Sequence, residues 1–406
     1  MIRYIGYLYL MMVMPLVIGC TSSQKKYDMG SYGYDVAFLR AHGIEFIELQ
    51  SLDEGAKVMV IPSLQGRVMT STAKGNEGDS YGWINYRFLE VGEWSPQFNP
   101  VGGEERFWIG PEGGAFSYYF KPGAEQIYEN WVVPPVIDTE PYEVEEQTYN
   151  QVRFSKSFEL INASGFSFSM GVDRTVSLLD AKTVDSLLGM KLPSDLEVVA
   201  YKSENILTNR GKTAWTKQTG LPSIWLLCMF SPTPTTTVFI PYEEQAEGPV
   251  VNDGYFGKVP SDRLVISDGM ARFRIDGKYR SKIGLPSSRA LDLCGSYDAN
   301  RNVLTLLKFS RPSTPVDYVN GQWGDQKDAF NGDVINAYND GPIEDGSIMG
   351  PFYEIETSSP GAALAPGDSI VHSQVVLHIQ GNKEAIREIV RNLFDYDLDN
   401  IAKTFS

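Results

Sequence analysis

Residues 352–378, FYEIETSSPGAALAPGDSIVHSQVVLH, alternate as two β-strands joined by a loop rich in proline and glycine. Side chains of an extended strand point to its two faces in turn. Glu354 and Glu356 therefore share one face of residues 352–357, with Tyr353 and Ile355 on the other. Along residues 370–378 the same period groups His372, Gln374 and His378 against Val371, Val375 and Leu377. Pro360-Gly361 and Pro366-Gly367 interrupt the connection, so the two strands are expected to be antiparallel neighbours. A symmetric loop would set Glu356 opposite His372 and Glu354 opposite Gln374. That arrangement is either a carboxylate–imidazole pair fit for proton transfer or a solvated strand face with paired charges.

Working outward, residues 101–120, VGGEERFWIGPEGGAFSYYF, pack five glycines, three glutamates, Arg106 and Trp108 between apolar segments. Glycine permits a close backbone approach to a ligand. Glu104, Glu105, Arg106, Trp108 and Glu112 are groups that a polar ring-shaped ligand needs. A carboxylate accepts from hydroxyls, an arginine forks onto vicinal ones, and an indole stacks on the apolar face of a pyranose. The alternative is a structural loop in which Arg106 pairs with Glu104 or Glu105. A third cluster holds Trp323 and Asp325, followed by Asn331, Asp333, Asn336, Asn339, Asp340, Glu344 and Asp345. It reads as a pocket rim or as oxygen ligands for calcium, without the spacing of an EF-hand loop. No other metal or cofactor is expected.

The rest of the chain has the rhythm of strands. Residues 44–50, 57–61, 67–72, 152–160, 166–179, 196–207, 224–230, 236–240, 271–275 and 303–309 are short runs rich in β-branched and aromatic residues. Two segments read as helical: a short one at residues 34–42, and residues 383–394, where Asn382 can cap and Ile386, Ile389, Val390, Leu393 and Phe394 recur at helical spacing. There is no helix–strand alternation and no internal repeat. The expected fold is all-β, one large antiparallel sandwich with a short C-terminal helix.

The first twenty residues resemble a bacterial lipoprotein signal. Arg3 supplies the charge, residues 5–17 are almost wholly apolar, and Leu16-Val17-Ile18-Gly19-Cys20 has the form of a lipobox. The expected organisation is a signal peptide at 1–19, a lipidated tether at 20–32 starting from Cys20, and one domain at 33–406. The tether carries no acidic run, which favours a protein held to the outer membrane and facing the periplasm. Its membrane contact is then the lipid anchor alone. The net charge is -16, and loss of Arg3, the single charged residue of the signal, makes it -17. A chain this acidic repels nucleic acid. Cys228 and Cys294 both sit in apolar runs and read as buried small hydrophobes. The sequence has no P-loop, no dinucleotide glycine pattern, no G-x-S-x-G and no zinc-spaced cysteines, and its three histidines rule out a histidine-rich metal site.

Residues 352–374 resemble the C-terminal hairpin of the aldose 1-epimerase, or galactose mutarotase-like, superfamily. There a Leu-Glu-Thr-type strand carries the catalytic base, and a Pro-Gly turn leads to a strand with an early histidine. Residues 102–114 are similar to the arginine- and tryptophan-bearing loop of its hexose-phosphate epimerase branch, and Gln65-Gly66-Arg67-Val68-Met69 resembles its early glycine strand. The resemblance implies a β-supersandwich and a carbohydrate ligand. It implies Glu356 as general base, with His372 as the nearby acid. Arg67, Glu104, Arg106, Trp108, Glu112, Trp323, Asp325, Asn339 and Glu354 are the expected sugar contacts. The chain departs from the family at one place. Mutarotases take their acid from a mid-chain histidine, and residues 209–230 contain none, offering Trp215, Lys217, Gln218, Thr219, Ser223 and Trp225 instead. Three functions remain: anomer interconversion, sugar binding without catalysis, and a glycoside hydrolase or lyase with Glu112 or Asp325 as second carboxylate.

Overall fold

A computed structural model describes residues 26–314 and 316–405; the expected signal peptide and Cys20 lie outside the described residues. The larger of two facing antiparallel sheets has ten strands. From edge to edge they are Leu264–Ser267, Met270–Ile275, Thr236–Pro241, Leu293–Asp298, Val303–Phe309, Ser369–Gln380, Glu197–Asn209, Ser167–Leu178, Gln151–Ile161 and Glu143–Gln147. The smaller runs Ser281–Pro286, Asp333–Asn339, Tyr353–Ser358, Ser223–Phe230 and Arg106–Gly110. Three further strands, Ile47–Gln50, Lys57–Ile61 and Arg67–Thr72, form a sheet of their own that meets the smaller one at a Val68–Glu105 bridge.

Alternation builds the core. Phe107, Ile109, Leu226, Ile335 and Ile355 point from the small sheet into a cluster shared with Phe154, Val172, Leu207 and Val376 of the large one. Each such side chain contributes about 1.5–3 kcal/mol when removed from water. On the far face of the large sheet, Leu304, Leu306, Leu377 and Ile379 receive Ile386, Ile389 and Val390 of the helix Lys383–Phe394. Asn382 caps that helix, its side-chain oxygen accepting from the backbone N–H of Glu384 and Ala385. Cys228 and Cys294 are both free and buried.

The sandwich and both expected helices are present, the first spanning Tyr32–Ala41. Several elements escaped the sequence reading. Ala181–Leu188 is a helix with Asp180 as its cap. Three strands of the small sheet, Arg106–Gly110, Ser281–Pro286 and Asp333–Asn339, are not among the expected runs, being short, polar or glycine-flanked.

The expected hairpin is corrected. Tyr353–Ser358 and Ser369–Gln380 are not neighbours but belong to different sheets. Glu356 stands opposite Asn336 and Leu227, whereas His372 stands opposite Asn205. The intervening loop crosses from one sheet to the other instead of turning back within one. It is pinned at Leu364, whose carbonyl accepts from Asn209 Nδ2 at 3.0 Å and from the Trp215 backbone N–H at 2.9 Å.

Candidate functional site

The period of two sorts the polar residues of the small sheet. Cross-strand partners share a face, so the pairs Arg106–Leu227, Trp108–Trp225, Leu227–Glu356, Met229–Glu354 and Glu356–Asn336 define one side. Lys282 joins it through its pairing with Tyr338. This side turns away from the ten-stranded sheet and collects Arg106, Trp108, Trp225, Lys282, Asn336, Glu354 and Glu356.

Glu356 lies at the floor, with no exposed side-chain surface. Trp225 Nε1 donates to its Oε2 at 2.9 Å, and Lys282 Nζ stands 2.9 Å from each carboxylate oxygen. Removing a carboxylate from water is costly unless it is paired and hydrogen-bonded, and these two donors supply both conditions. Oε1 itself makes no hydrogen bond of good geometry. The Lys282 ammonium also sits 5.2 Å from the Trp225 ring and 5.3 Å from the Tyr255 ring. Burial opposes its charge, but Glu356 and Glu112 together outweigh burial and hold its pKa above the usual lysine value.

Trp225 and Lys282, which cover Glu356, form part of the wall of a cleft with Glu112, Tyr255, Asp333 and Asn336. Tyr255 donates to Asp333 at 2.5 Å and accepts from Asn336 at 3.1 Å, which fixes that wall. Burial pushes the Glu112 carboxyl from its ordinary 4.5 up to about 7; Lys282 pulls against the rise and Glu356 adds to it. Glu354 is ion-paired with Arg106. Burial nevertheless raises its pKa to about 7, against the pull of Arg106. The Arg106 guanidinium lies 4.9 Å from the Trp108 ring, and neither Arg106 Nε nor Trp108 Nε1 has a hydrogen-bond partner among the described residues.

Glycines set the walls. Gly103 has φ +122, and a Cβ there would lie 2.6 Å from Arg67 Cδ. At Gly113 a Cβ would meet the Gln322 carbonyl oxygen at 2.2 Å, so the Glu112 loop lies directly on the Trp323 loop. Trp323 and Asp325 are exposed on that rim.

The remaining expected contacts lie elsewhere. His372 faces the inner side, where Thr357 Oγ1 is 2.9 Å from its Nε2. Burial lowers its pKa to about 3, so it is a neutral imidazole, whose remaining N–H is too weak an acid for the expected role. Glu104 is fully buried and takes Ser71 at 2.8 Å and His378 at 3.0 Å. Arg67 is buried too, donating to the Gly102 carbonyl at 2.8 Å and to Gln65 at 3.2 Å. Burial and the like charges of Arg106 and Arg174 lower its pKa to about 9. Asn339 accepts from the backbone of Asp276 and Gly277 and so holds a turn.

Three carboxylates of the third cluster have protein partners of their own. Asp333 serves Tyr255 and Asn252, Asp340 serves Tyr338 and Gly350, and Asp345 serves Ser347. Among the described residues no group of three His, Cys, Asp or Glu side chains converges on a metal position. The sequence reading missed Lys282 and the part played by Trp225. The signal for Lys282 was the alternation of Ser281-Lys282-Ile283-Gly284-Leu285, stopped by Pro286. Among the described residues no helix is long and apolar enough to cross a membrane.

Solved structures share the architecture. The Slr1438 protein of Synechocystis sp. aligns at TM-score 0.50 and 14% identity over 84% of this chain and 96% of its own. A galactose mutarotase-like protein of Lactobacillus casei aligns at 0.50 and 10% identity over 82% and 100%. A putative aldose 1-epimerase of Escherichia coli aligns at 0.47 and 12% identity over 83% and 99%. No functionally curated protein matches the sequence. The first two likenesses establish the galactose mutarotase-like fold. A family model of unknown function, DUF6786, matches residues 30–405, and the chain belongs to that family.

Proposed function

We propose that the protein binds a reducing sugar over Glu356 and interconverts its anomers. One fold hosts many activities, so the site must carry this reading. The observation that carries it is a pair of carboxyls with different surroundings, Glu112 in the cleft wall and Glu356 buried behind Trp225 and Lys282. Glu356 has an ammonium and an indole N–H, whereas burial lifts Glu112 to about 7. Environments that push two carboxyls apart assign a base and an acid. Glu356 takes the proton of the anomeric hydroxyl while Glu112 gives one to the ring oxygen, and the bond between C1 and the ring oxygen breaks to leave an aldehyde. Rotation about C1–C2 and reclosure return both protons. Glu112 thus fills the place of the absent mid-chain histidine, and Lys282 offsets the charge of Glu356. Asn336 offers hydrogen bonds to hydroxyls, and Trp225 offers an apolar plane.

Exchange of α and β anomers, followed by NMR on wild type and Glu356→Gln, tests the assignment. The variant should keep saturation transfer from the sugar and lose about 10²–10⁴-fold in exchange, the usual worth of a positioned base. Equal exchange in the variant would remove Glu356 from the reaction. A second reading, sugar recognition without turnover, draws on the Lys282 ion pair that already occupies Glu356; binding without exchange in the wild type would select it. In either case Cys20 is read as the lipid anchor and the outer membrane, periplasmic side, as the location, on the sequence of the first twenty residues.

A further inference from the structure

Aromatic rings run from the cleft to the surface without a gap. Trp225 packs edge-on against Trp108, and Trp108 leans on Tyr119. Tyr119 stacks with Trp131 at 6.2 Å, and Trp131 stacks in turn with Trp323 at 6.1 Å and Tyr128 at 6.0 Å. The inner members are buried, but Trp323 and Tyr128 are 37% and 58% exposed, with Ile127 and Val132 exposed beside them. The array is tied to the cleft walls. Gln126 accepts from the backbone N–H of Gly114 at 2.8 Å and of Gly324 at 2.7 Å, which joins the Tyr128 segment to both the Glu112 loop and the Trp323 loop.

Contiguous exposed apolar surface on a soluble domain marks a place that something covers. The cleft itself is small, bounded by Glu112, Trp225, Tyr255, Lys282, Asp333 and Asn336. We propose that the cleft takes the terminal residue of a neutral oligosaccharide and that the next residues lie on Trp323 and Tyr128. This inference rests on the reading of the cleft as a sugar site. Aromatic planes suit it, because a pyranose offers an apolar face and a rim of hydroxyls at once. Charge argues for a neutral chain. Glu125, Glu129, Asp325 and Asp328 are exposed around the strip against Lys121 and Lys327. That acidic excess repels uronate- or sulfate-bearing glycans.

Isothermal titration of wild type, Tyr128→Ala and Tyr128→Phe tests this. The probes are glucose and galactose, each with its α-1,4- and β-1,4-linked di- and trisaccharides. In the wild type a trisaccharide of one series should bind about tenfold more tightly than its monosaccharide, a step of ~1.4 kcal/mol. Tyr128→Ala should lose about threefold to tenfold on the trisaccharide only, the range for one aromatic contact, while Tyr128→Phe, which keeps the ring, retains the gain. Equal affinity for all chain lengths, or a Tyr128→Ala variant that keeps the gain, overturns the extended site and leaves the monosaccharide cleft standing. Failure of every sugar to bind overturns the cleft reading and this one with it.

Discussion

Two polar clusters of similar composition lie on opposite sides of the same five-stranded sheet, and they differ in how their polar atoms are satisfied. On the inner side, Arg174 donates to Glu105, Asn205 and the Gly66 carbonyl, and Gln374 donates to the other Glu105 oxygen. Arg174 and Glu105 have no exposed side-chain surface. On the outer side, Arg106 Nε and Trp108 Nε1 lack hydrogen bonds among the described residues, and Glu356 Oε1 has only the Lys282 ammonium at 2.9 Å. Buried polar atoms in folded proteins are nearly always paired, so an exception asks for an explanation. A closed network specifies the packing of two sheets. The outer one leaves buried donors unpaired behind the wall of the cleft.

Breaking the inner seam should have the largest effect on stability. Arg174→Ala leaves Glu105 buried and half-paired, and should cost about 3–5 kcal/mol, read from urea or thermal unfolding. If the loss were within the range of a surface substitution, the seam would not be the structural half of the comparison.

On the outer side, Glu112 makes pH the probe. A carboxyl whose folded pKa exceeds its unfolded value binds more protons when folded, so its contribution is full below the unfolded value and is lost as pH rises. For Glu112 that window runs from 4.5 to about 7. Glu112→Gln should flatten part of the fall in melting temperature across it. Wild-type anomer exchange should decline above about pH 7 as the acid loses its proton, and the variant should lack that limb. An unchanged pH profile in the variant would move the acid elsewhere.

The smallest effect is expected at His372. Its imidazole is hydrogen-bonded to Thr357 at 2.9 Å and, at 3.4 Å, to Ser310, so His372→Gln should cost about 1 kcal/mol and leave exchange unaltered. Lost exchange in a folded His372→Gln protein would join the two sides that the structure separates.

Much of this was legible in the sequence, and the limits have physical causes. Alternation located the long strands and placed Glu354 and Glu356 on one face, because that period is local to a strand. Which sheet a strand joins is not local, so the Glu356–His372 pairing failed although the facing within each strand was correct. Glu105 and Arg106 show the same lesson one residue apart. They are neighbours in a glycine-flanked run that read as a loop, yet five residues of strand send one into the seam and the other to the cleft face. Lys282 went unread because a six-residue strand ended by proline carries too little periodic signal, and its meaning depends on Glu356, seventy-four residues away.

The central claim is that sugar binds on the outer face beside Glu356. Indole N–H resonances in a two-dimensional NMR titration of the seven tryptophans test it most directly. The Trp225 N–H, which donates to Glu356 at 2.9 Å, should shift in a saturable way as a reducing sugar is added. Trp215, buried against Phe168 in the core between the sheets, should stay in place. A stationary Trp225 under saturating sugar, or movement at Trp215 alone, would contradict the account.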